Sequence, residues 1–274
     1  MKLLRYAIDD VTYAGLLNGD EIMRLGVRNI AELMRPDAAF VETGILDNLA
    51  DARVLPPLQP GKILAIGRNY AEHARELGNE APSEPLVFAV MPSAVIGDGD
   101  VIEWEAEMTA QVDWEGELAV IIGETARKVS EAEALEYVFG YTIANDVSAR
   151  DLQTRDKQWT RAKGLDTFCP LGPVVVTADA IPDPQNLRIV TTVDGVEKQN
   201  GSTADMIFSV RFLIAHLSRA FTLNPGDIIL TGTPAGVGKA QNPPQFLTDG
   251  SIVSISIEPI GKLTNRCRVL EVDS

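Results

Sequence analysis

The segment VDWEGELAVIIG, residues 112–123, has the clearest strand pattern in the sequence. Its second half is an apolar run closed by Gly123, which is typical of a strand buried on both faces. Similar short β-rich runs occur at KILAIG (62–67), IVTTVDGV (189–196), DIILTG (227–232) and SIVSISI (251–257). Predicted helices are fewer, at 131–138 and 208–221, and strands and helices do not alternate regularly. The pattern predicts an α+β fold dominated by a mixed or antiparallel β-sheet, and it argues against a doubly wound fold.

The N-terminal part of the chain has turn and proline signals that separate it from the rest. LLNGDEIM (16–23) places an Asn-Gly turn between two apolar runs, which predicts a β-hairpin. Apolar residues at helical spacing predict a helix within 28–50. The proline-rich stretch LPPLQPG (55–61) indicates a semi-rigid connector. We therefore expect a small N-terminal α+β domain at residues 1–58, followed by a catalytic domain at 59–274.

The charge balance excludes some classes of partner. The 274 residues include 24 Lys plus Arg and 39 Asp plus Glu, a formal net charge of −15. This charge disfavours nucleic acid and anionic membrane surfaces as partners. No signal peptide or transmembrane segment is evident, and the two cysteines are too few for a disulfide framework. We expect a cytoplasmic protein.

Two glutamates stand directly before the buried run. Residues i and i+2 of a strand point to the same side, so the carboxylates of Glu115 and Glu117 can converge on one ion. The alternative is an edge strand with two solvated acids. The same Glu-x-Glu spacing at Glu105 and Glu107 leads into a polar stretch, which makes the second copy the better candidate.

A third acid, Asp146, follows the strand predicted at 141–144. Asn-Asp after a strand is also an ordinary turn. If the three carboxylates meet, their oxygens favour Mg²⁺, with Mn²⁺ or Ca²⁺ as alternatives, over zinc. Three protein ligands would leave open positions for water and for substrate oxygens.

The two histidines lie in different contexts. His73 belongs to GRNYAEHARELG (67–78), a short predicted helix that Gly78 can end, and Glu76 lies on the same face three residues later. A carboxylate beside an imidazole is how a general base is built. The alternative is a salt-bridged histidine on a surface helix. His216 lies among apolar residues at helical spacing and is expected to be packed.

Two further segments carry polar candidates. Lys163 is predicted in a loop bounded by Gly and Pro, where it could bind an anionic substrate or simply be solvated. NPGDIILTGTPAGVG (224–238) does not match the P-loop pattern of nucleotide-binding proteins. Its hydroxyl and backbone N–H groups are expected to close over a small carboxylate.

Taken in order, six segments resemble the successive motifs of the fumarylacetoacetate hydrolase family. They are GRNYAEHARELG (67–78), DWEGELAVIIG (113–123), NDVSARDLQ (145–153), KGLDTFCPLGP (163–173), NGSTADMIFSV (200–210) and LNPGDIILTGTPAGVG (223–238). The resemblance extends over about residues 62–270. It implies a catalytic domain of the fumarylacetoacetase C-terminal type, with a mixed β-sheet or β-roll, in a homodimer.

The resemblance also implies roles for individual residues. The implied metal ligands are Glu115, Glu117 and Asp146. The implied catalytic residues are His73, Glu76 and Lys163, with His73 and Glu76 on a lid, and the implied substrate-binding residues are Gln153 and Thr233. Relatives commonly have a lysine where this chain has Val90, which suggests a less charged or more apolar substrate tail.

The implied activity is a metal-dependent hydrolysis of a C–C bond in an acylpyruvate-like 2,4-dioxo acid of the fumarylacetoacetate or fumarylpyruvate type. His73 would deprotonate a water that attacks the acyl carbonyl, and the metal and Lys163 would stabilise the pyruvate enolate that is released. Isomerisation of a hydroxymuconate-type diene, such as 2-hydroxyhepta-2,4-diene-1,7-dioate, and decarboxylation of oxaloacetate are alternatives on the same site. A non-catalytic, Ca²⁺-binding β-module is the alternative from another class.

Overall fold

The computed structural model describes residues 1–35 and 37–271, which form a β-rich fold with few helices. The strands are β1 Lys2–Ile8, β2 Val11–Asn18, β3 Glu21–Leu25, β4 Glu42–Asn48, β5 Arg53–Leu55, β6 Ile63–Gly67, β7 Leu86–Val90, β8 Val95–Ile96, β9 Val101–Glu105, β10 Val112–Asp113, β11 Gly116–Ile122, β12 Val138–Asn145, β13 Ser148–Ala149, β14 Cys169–Thr177, β15 Arg188–Val193, β16 Val196–Ser202, β17 Ile228–Leu230, β18 Ile252–Ile257 and β19 Gly261–Leu270. The α-helices are α1 Ala71–Glu76, α2 Arg150–Asp156, α3 Thr160–Lys163 and α4 Val210–Ala220. Short 3₁₀ helices lie at Ile30–Met34, Leu49–Asp51, Pro92–Ala94, Ala134–Tyr137, Ala178–Ala180, Thr203–Asp205 and Gly238–Ala240.

Two large sheets account for most of the strands. The larger sheet has the order β4-β3-β2-β1-β14-β12-β11-β17-β6-β7, and the smaller one has the order β16-β15-β18-β19-β9. Most neighbours are antiparallel, but β17 pairs in parallel with β6, and β19 pairs in parallel with β9. The predicted α+β class with a mixed sheet is therefore confirmed.

Strand β11 lies in the interior of the larger sheet, between β12 and β17, and every one of its residues is buried. The apolar run 118–122 thus packs on both faces, as its sequence predicts. In the register between β11 and β12, Gly116 lies opposite Asn145. This pairing places the residues at the start of β11 beside the residues that follow β12.

The N-terminal strands extend the same large sheet. Strand β1 pairs antiparallel with β14, with Leu3 opposite Val175. The predicted hairpin is confirmed between β2 and β3, although the two-residue loop is Gly19–Asp20, because Asn18 still pairs with Glu21. The division at residue 58 stays a prediction.

Two helix predictions are wrong in part. Within 28–50 the described residues form no α-helix: they form the 3₁₀ helix Ile30–Met34, strand β4 and the start of the 3₁₀ turn Leu49–Asp51. Arg35 is extended, as expected of a residue that precedes a proline in the sequence. At 131–138 the helical part is limited to the 3₁₀ turn Ala134–Tyr137, because β12 begins at Val138. The helix at 208–221 is confirmed as α4, with the Ser209 hydroxyl accepting the Phe212 N–H at its start.

Across residues 1–35 and 37–271, we find no helix with the length and apolar character needed to cross a membrane.

Candidate active site

The three predicted metal ligands lie together where β11 begins and β12 ends. One carboxylate oxygen from each of Glu115, Glu117 and Asp146 lies within 4.8 Å of the others, and all three side chains are buried. The backbone fixes this arrangement, since the Asp146 N–H donates to the Glu115 carbonyl over 2.9 Å. The Asn145 side chain also accepts the Glu115 N–H, at 3.0 Å. The Glu-x-Glu spacing therefore converges on one point, as the strand period predicts.

Lys163 lies against two of these carboxylates. Its Nζ donates to Oε2 of Glu115 over 2.7 Å and to Oδ2 of Asp146 over 2.5 Å. The prediction of a loop at this position is wrong, because Lys163 is the last residue of helix α3, and its side chain is buried. A buried ammonium needs paired charge, and the two carboxylates raise the pKa of Lys163 against the opposing effect of burial.

A second buried cation, Arg150, lies beside the same cluster. Its Nε donates to Oδ2 of Asp113 over 2.8 Å, and its Nη2 lies 2.7 Å from Oε1 of Glu115. Sequence reasoning missed both Arg150 and Asp113. The available signal was their position inside the NDVSARDLQ and VDWEGELAVIIG segments, because an arginine or aspartate within a buried segment needs a partner of opposite charge.

The pKa values of the carboxylates follow this uneven distribution of cations. Burial and the neighbouring carboxylates of Asp146 and Glu115 raise the pKa of Glu117 well above its ordinary value. Burial also raises the pKa of Asp146 to about 6, although Lys163 acts in the opposite direction. At Glu115 burial acts to raise the pKa, but Lys163 and Arg150 outweigh it and lower the value to about 2.

The donor set fits a hard divalent cation. Counted as ionised, the four carboxylates of Asp113, Glu115, Glu117 and Asp146 outnumber the two cations Lys163 and Arg150 by two formal charges in a buried site. Within the described residues, Oδ1 of Asp146 is buried and has no hydrogen-bond partner. An orphaned buried carboxylate oxygen in an oxygen-only cluster is what a Mg²⁺, Mn²⁺ or Ca²⁺ ligand requires. The cluster could therefore bind a divalent metal.

His73 and Glu76 form the predicted pair on helix α1. Nδ1 of His73 lies 2.7 Å from Oε1 of Glu76, and the His73 side chain is buried. Oε2 of Glu76 accepts the Gly236 N–H over 2.8 Å, which fixes the carboxylate from its other side. The helix ends as predicted, with Gly78 in the left-handed region at φ +71°.

A cavity of about 200 Å³ brings these groups together. Five of the eight predicted site residues line it, namely His73, Glu115, Gln153, Lys163 and Thr233. The residues that line it and were not predicted include Arg68, Arg150, Trp159 and Lys239. The cavity is therefore lined by the His73 imidazole, by Glu115 of the acidic cluster and by several cations.

The two predicted substrate-binding residues, Gln153 and Thr233, form hydrogen bonds with other residues of the chain. The Gln153 side chain accepts a hydrogen bond from Nη1 of Arg150 at 3.2 Å. The Thr233 hydroxyl donates to the Gly116 carbonyl over 2.9 Å and accepts from Nε2 of Gln199 over 2.7 Å. Both side chains line the cavity with their positions set by these contacts.

The loop at 231–239 does not use its N–H groups as the sequence suggests. The N–H groups of Gly232, Gly236 and Gly238 donate to the carboxylates of Glu117, Glu76 and Asp113 over 2.7, 2.8 and 2.7 Å, respectively. The expectation that they close over a substrate carboxylate is therefore wrong for these three groups. The loop instead forms hydrogen bonds with the acidic cluster through Glu117, with the His73–Glu76 pair and with the Asp113–Arg150 pair.

Val90 lies away from this machinery. It is the last residue of β7, is buried in the apolar core, and is not among the residues that line the cavity. Its side chain therefore does not contact this cavity directly.

Comparison with known proteins supports the predicted family resemblance and the fold. Residues 62–268 match the family described as fumarylacetoacetate (FAA) hydrolase C-terminal. The oxaloacetate tautomerase YisK of Bacillus subtilis is 48% identical over 223 residues, which cover 80% of this chain and 74% of that protein.

Two solved structures are similar over nearly the whole chain. A fumarylacetoacetate hydrolase from the psychrophile Exiguobacterium antarcticum is 39% identical with a TM-score of 0.91, over 98% of this chain and all of the other. A 2-hydroxyhepta-2,4-diene-1,7-dioate isomerase from Mycobacterium marinum is 38% identical with a TM-score of 0.84, over the full length of both chains. Together with the family match over most of the sequence, these similarities identify the chain as a member of the fumarylacetoacetate hydrolase family.

Proposed function

We propose that this protein is an isomerase that interconverts the enol and keto forms of a small 2-oxo acid of the oxaloacetate type. One observation carries the proposal: the imidazole of His73, oriented by Glu76, lines the same small cavity as Lys163 and Glu115. A volume of about 200 Å³ is below the roughly 300–1,000 Å³ of pockets that hold drug-sized ligands, so a small acid is the matching substrate class.

The contact between Nδ1 of His73 and Glu76 leaves Nε2 as the atom that can exchange a proton with substrate. In the keto-to-enol direction, Nε2 accepts a proton from C3 of the substrate. The C–H electron pair becomes the C2–C3 double bond, the carbonyl pair moves onto the C2 oxygen, and the proton held on Nε2 passes to that oxygen to give the enol. The reverse direction returns the proton to C3, and no water is consumed.

Cations of the chain stabilise the charge that develops in this step. The ammonium of Lys163 is held by Glu115 and Asp146 at the cavity wall, where it can face the C2 oxygen. A divalent cation held by Glu115, Glu117 and Asp146 would add positive charge that favours the enolate form of a 2-oxo acid. Such preorganised charge in a buried site is commonly the largest contribution to catalysis.

The names of relatives also support isomerisation. YisK is described as an oxaloacetate tautomerase, and the Mycobacterium marinum structure is described as a hydroxyheptadienedioate isomerase. Hydrolysis of an acylpyruvate, which the motifs imply, is the second candidate. It is favoured by the structural similarity to the Exiguobacterium enzyme, and the His73–Glu76 pair could equally activate a water. We further propose a homodimer with Mg²⁺ as the working metal.

The test presents the purified protein with the enol form of oxaloacetate and with acetylpyruvate, each in Mg²⁺ and in EDTA. We expect the ultraviolet absorbance of the enol to decay faster than in buffer, without release of CO₂ or pyruvate. Cleavage of acetylpyruvate to acetate and pyruvate would instead favour the hydrolase. Release of CO₂ from oxaloacetate would identify a decarboxylase, and a lack of turnover with all these substrates would refute the proposal.

A further inference from the structure

The cations that line the cavity fall into two groups. Lys163 and Arg150 are each paired with buried carboxylates at the inner end. Arg68 and Lys239 also line the cavity, but neither forms an ion pair with any residue in 1–35 or 37–271. In a chain with a net charge of −15, two uncompensated cations at one cavity stand out from the acidic surroundings.

Arg68 is held in its place by the residues around it. Its backbone is in the left-handed region, at φ +57°, which is uncommon for a residue with a side chain. The next residue, Asn69, is buried, and its amide donates to the carbonyls of Phe208 and Thr231 over 3.0 and 2.8 Å. The same side chain accepts the Phe208 N–H at 2.8 Å. These three hydrogen bonds offset the cost of the left-handed conformation, which is the situation found at functional positions.

The side chain of Arg68 lies beside the ring of Trp159. Its guanidinium carbon lies 5.7 Å from the centre of the Trp159 ring. Trp159 can approach because residue 67 is glycine, whose added Cβ would lie only 2.4 Å from the Trp159 ring. A guanidinium beside an aromatic ring keeps its hydrogen-bond donors directed outward, where they can bind a carboxylate in bidentate fashion.

Lys239 lines the cavity from a different segment, the 3₁₀ turn Gly238–Ala240. Its backbone N–H donates to Oδ2 of Asp113 over 3.0 Å, so its Cα is anchored to the buried Asp113–Arg150 pair. Partial burial and the nearby charge of Arg150 lower the pKa of Lys239. Burial and the like charge both disfavour the ammonium form, and a bound anion would stabilise that form.

We propose that Arg68 and Lys239 determine substrate specificity by binding the second carboxylate of a dicarboxylic 2-oxo acid whose 2-oxo end lies beside Lys163. This inference rests on the proposed function and names the residues that select a diacid. It also replaces the expectation drawn from Val90, because the chain has two other cations at the cavity where a charged tail can bind.

The test uses two inert probes that differ by one carboxylate. Malate and 2-hydroxybutanoate share a four-carbon skeleton with a 2-hydroxy acid end, but the latter has a methyl group in place of the second carboxylate. Calorimetry in Mg²⁺ buffer measures both affinities for the wild type, Arg68→Gln, Lys239→Gln and Arg68→Lys. Arg75→Gln, an exposed arginine on helix α1, is the matched control.

We expect the wild type to prefer malate, and Arg68→Gln and Lys239→Gln each to weaken malate binding by about tenfold or more. Binding of 2-hydroxybutanoate should change by less than about twofold, because its methyl group carries no charge for these cations to bind. Arg68→Lys should recover part of the loss, and Arg75→Gln should match the wild type.

The proposal is overturned if the wild type does not prefer malate, or if both neutral variants keep the wild-type preference. Either result can coexist with enol–keto turnover by the wild type, and in that case the proposed function stands without this specificity assignment. Conversely, a malate preference that depends on Arg68 and Lys239 in a protein without turnover would refute only the proposed function.

Discussion

Arg150 donates through Nε to Oδ2 of Asp113 over 2.8 Å, and water reaches neither side chain to any meaningful extent. Asp113 also accepts the N–H groups of Gly238 and Lys239, at 2.7 and 3.0 Å. Oδ2 therefore receives hydrogen bonds from Arg150 and Lys239, and Oδ1 receives them from Gly238 and from the adjacent Trp114 N–H, at 2.8 Å. The pair joins helix α2, which begins at Arg150, to the loop at 231–239.

Asp113→Asn should destabilise the protein by about 3 kcal/mol, because it leaves Arg150 with one carboxylate partner and directs an amide donor at other donors. Urea unfolding followed by circular dichroism measures this loss. Asp156→Asn is the matched control, since Asp156 pairs with Arg161 at the surface, and its loss should be far smaller. Equal losses for the two variants would contradict a structural role for the buried pair.

His73→Gln should lower kcat for enol–keto interconversion by roughly 10²- to 10⁴-fold, the usual contribution of a general base. The KM should change little, because the imidazole acts on the reacting proton. The control is His216→Gln. His216 is the second histidine of the sequence, and it lies on helix α4, outside the cavity. A His73→Gln enzyme with wild-type kcat would exclude His73 as the base.

Mg²⁺ should raise the melting temperature of the wild type, and Glu117→Gln should abolish most of that increase. A ligand at 100 times its Kd stabilises the folded state by about 2.7 kcal/mol, so the shift is measurable by calorimetry. Glu107→Gln is the control, because it belongs to the exposed Glu-x-Glu copy. If Glu107→Gln and Glu117→Gln respond alike to Mg²⁺, the buried cluster is not the metal site.

The ion pair between Arg24 and Asp47 should make a pH-dependent contribution to stability. The Arg24 guanidinium lowers the pKa of Asp47 despite the opposing effect of partial burial, so the folded chain binds this proton less readily than the unfolded chain. The contribution is therefore present at neutral pH and is lost as the pH falls below about 4.

Comparing the wild type with Asp47→Asn by urea unfolding at several pH values checks this sign. The difference between the two proteins should be largest near neutral pH and shrink toward zero in acid. A difference that grows on acidification would show that the pair with Arg24 is not its source.

Local periodicity predicts the parts of the site that depend on one strand or one turn of helix. The strand period brings Glu115 and Glu117 together, and the helical spacing brings His73 to Glu76, as observed. The helix expected within 28–50 is limited to the 3₁₀ turn Ile30–Met34, and residues 42–48 form β4 because its pairing with β3 is a long-range interaction that outweighs local spacing.

Local periodicity does not predict the contacts between distant segments. The Asp113–Arg150 pair joins residues 37 positions apart, and the contact of Gly236 with Glu76 joins residues 160 apart. No period in the sequence links such positions. The resemblance to a known family supplied their general location but not their hydrogen bonds.

The loop at 231–239 limits how this enzyme can diversify. At Gly236, φ is +109° and an added Cβ would lie 2.0 Å from the Lys198 carbonyl oxygen, so no other residue fits without moving the loop. Any such movement would disturb the His73–Glu76 pair, the acidic cluster of Glu115, Glu117 and Asp146, and the Asp113–Arg150 pair at once. New substrate preferences are therefore more accessible through changes at the rim, at positions such as 68 and 239, than through changes in the loop backbone.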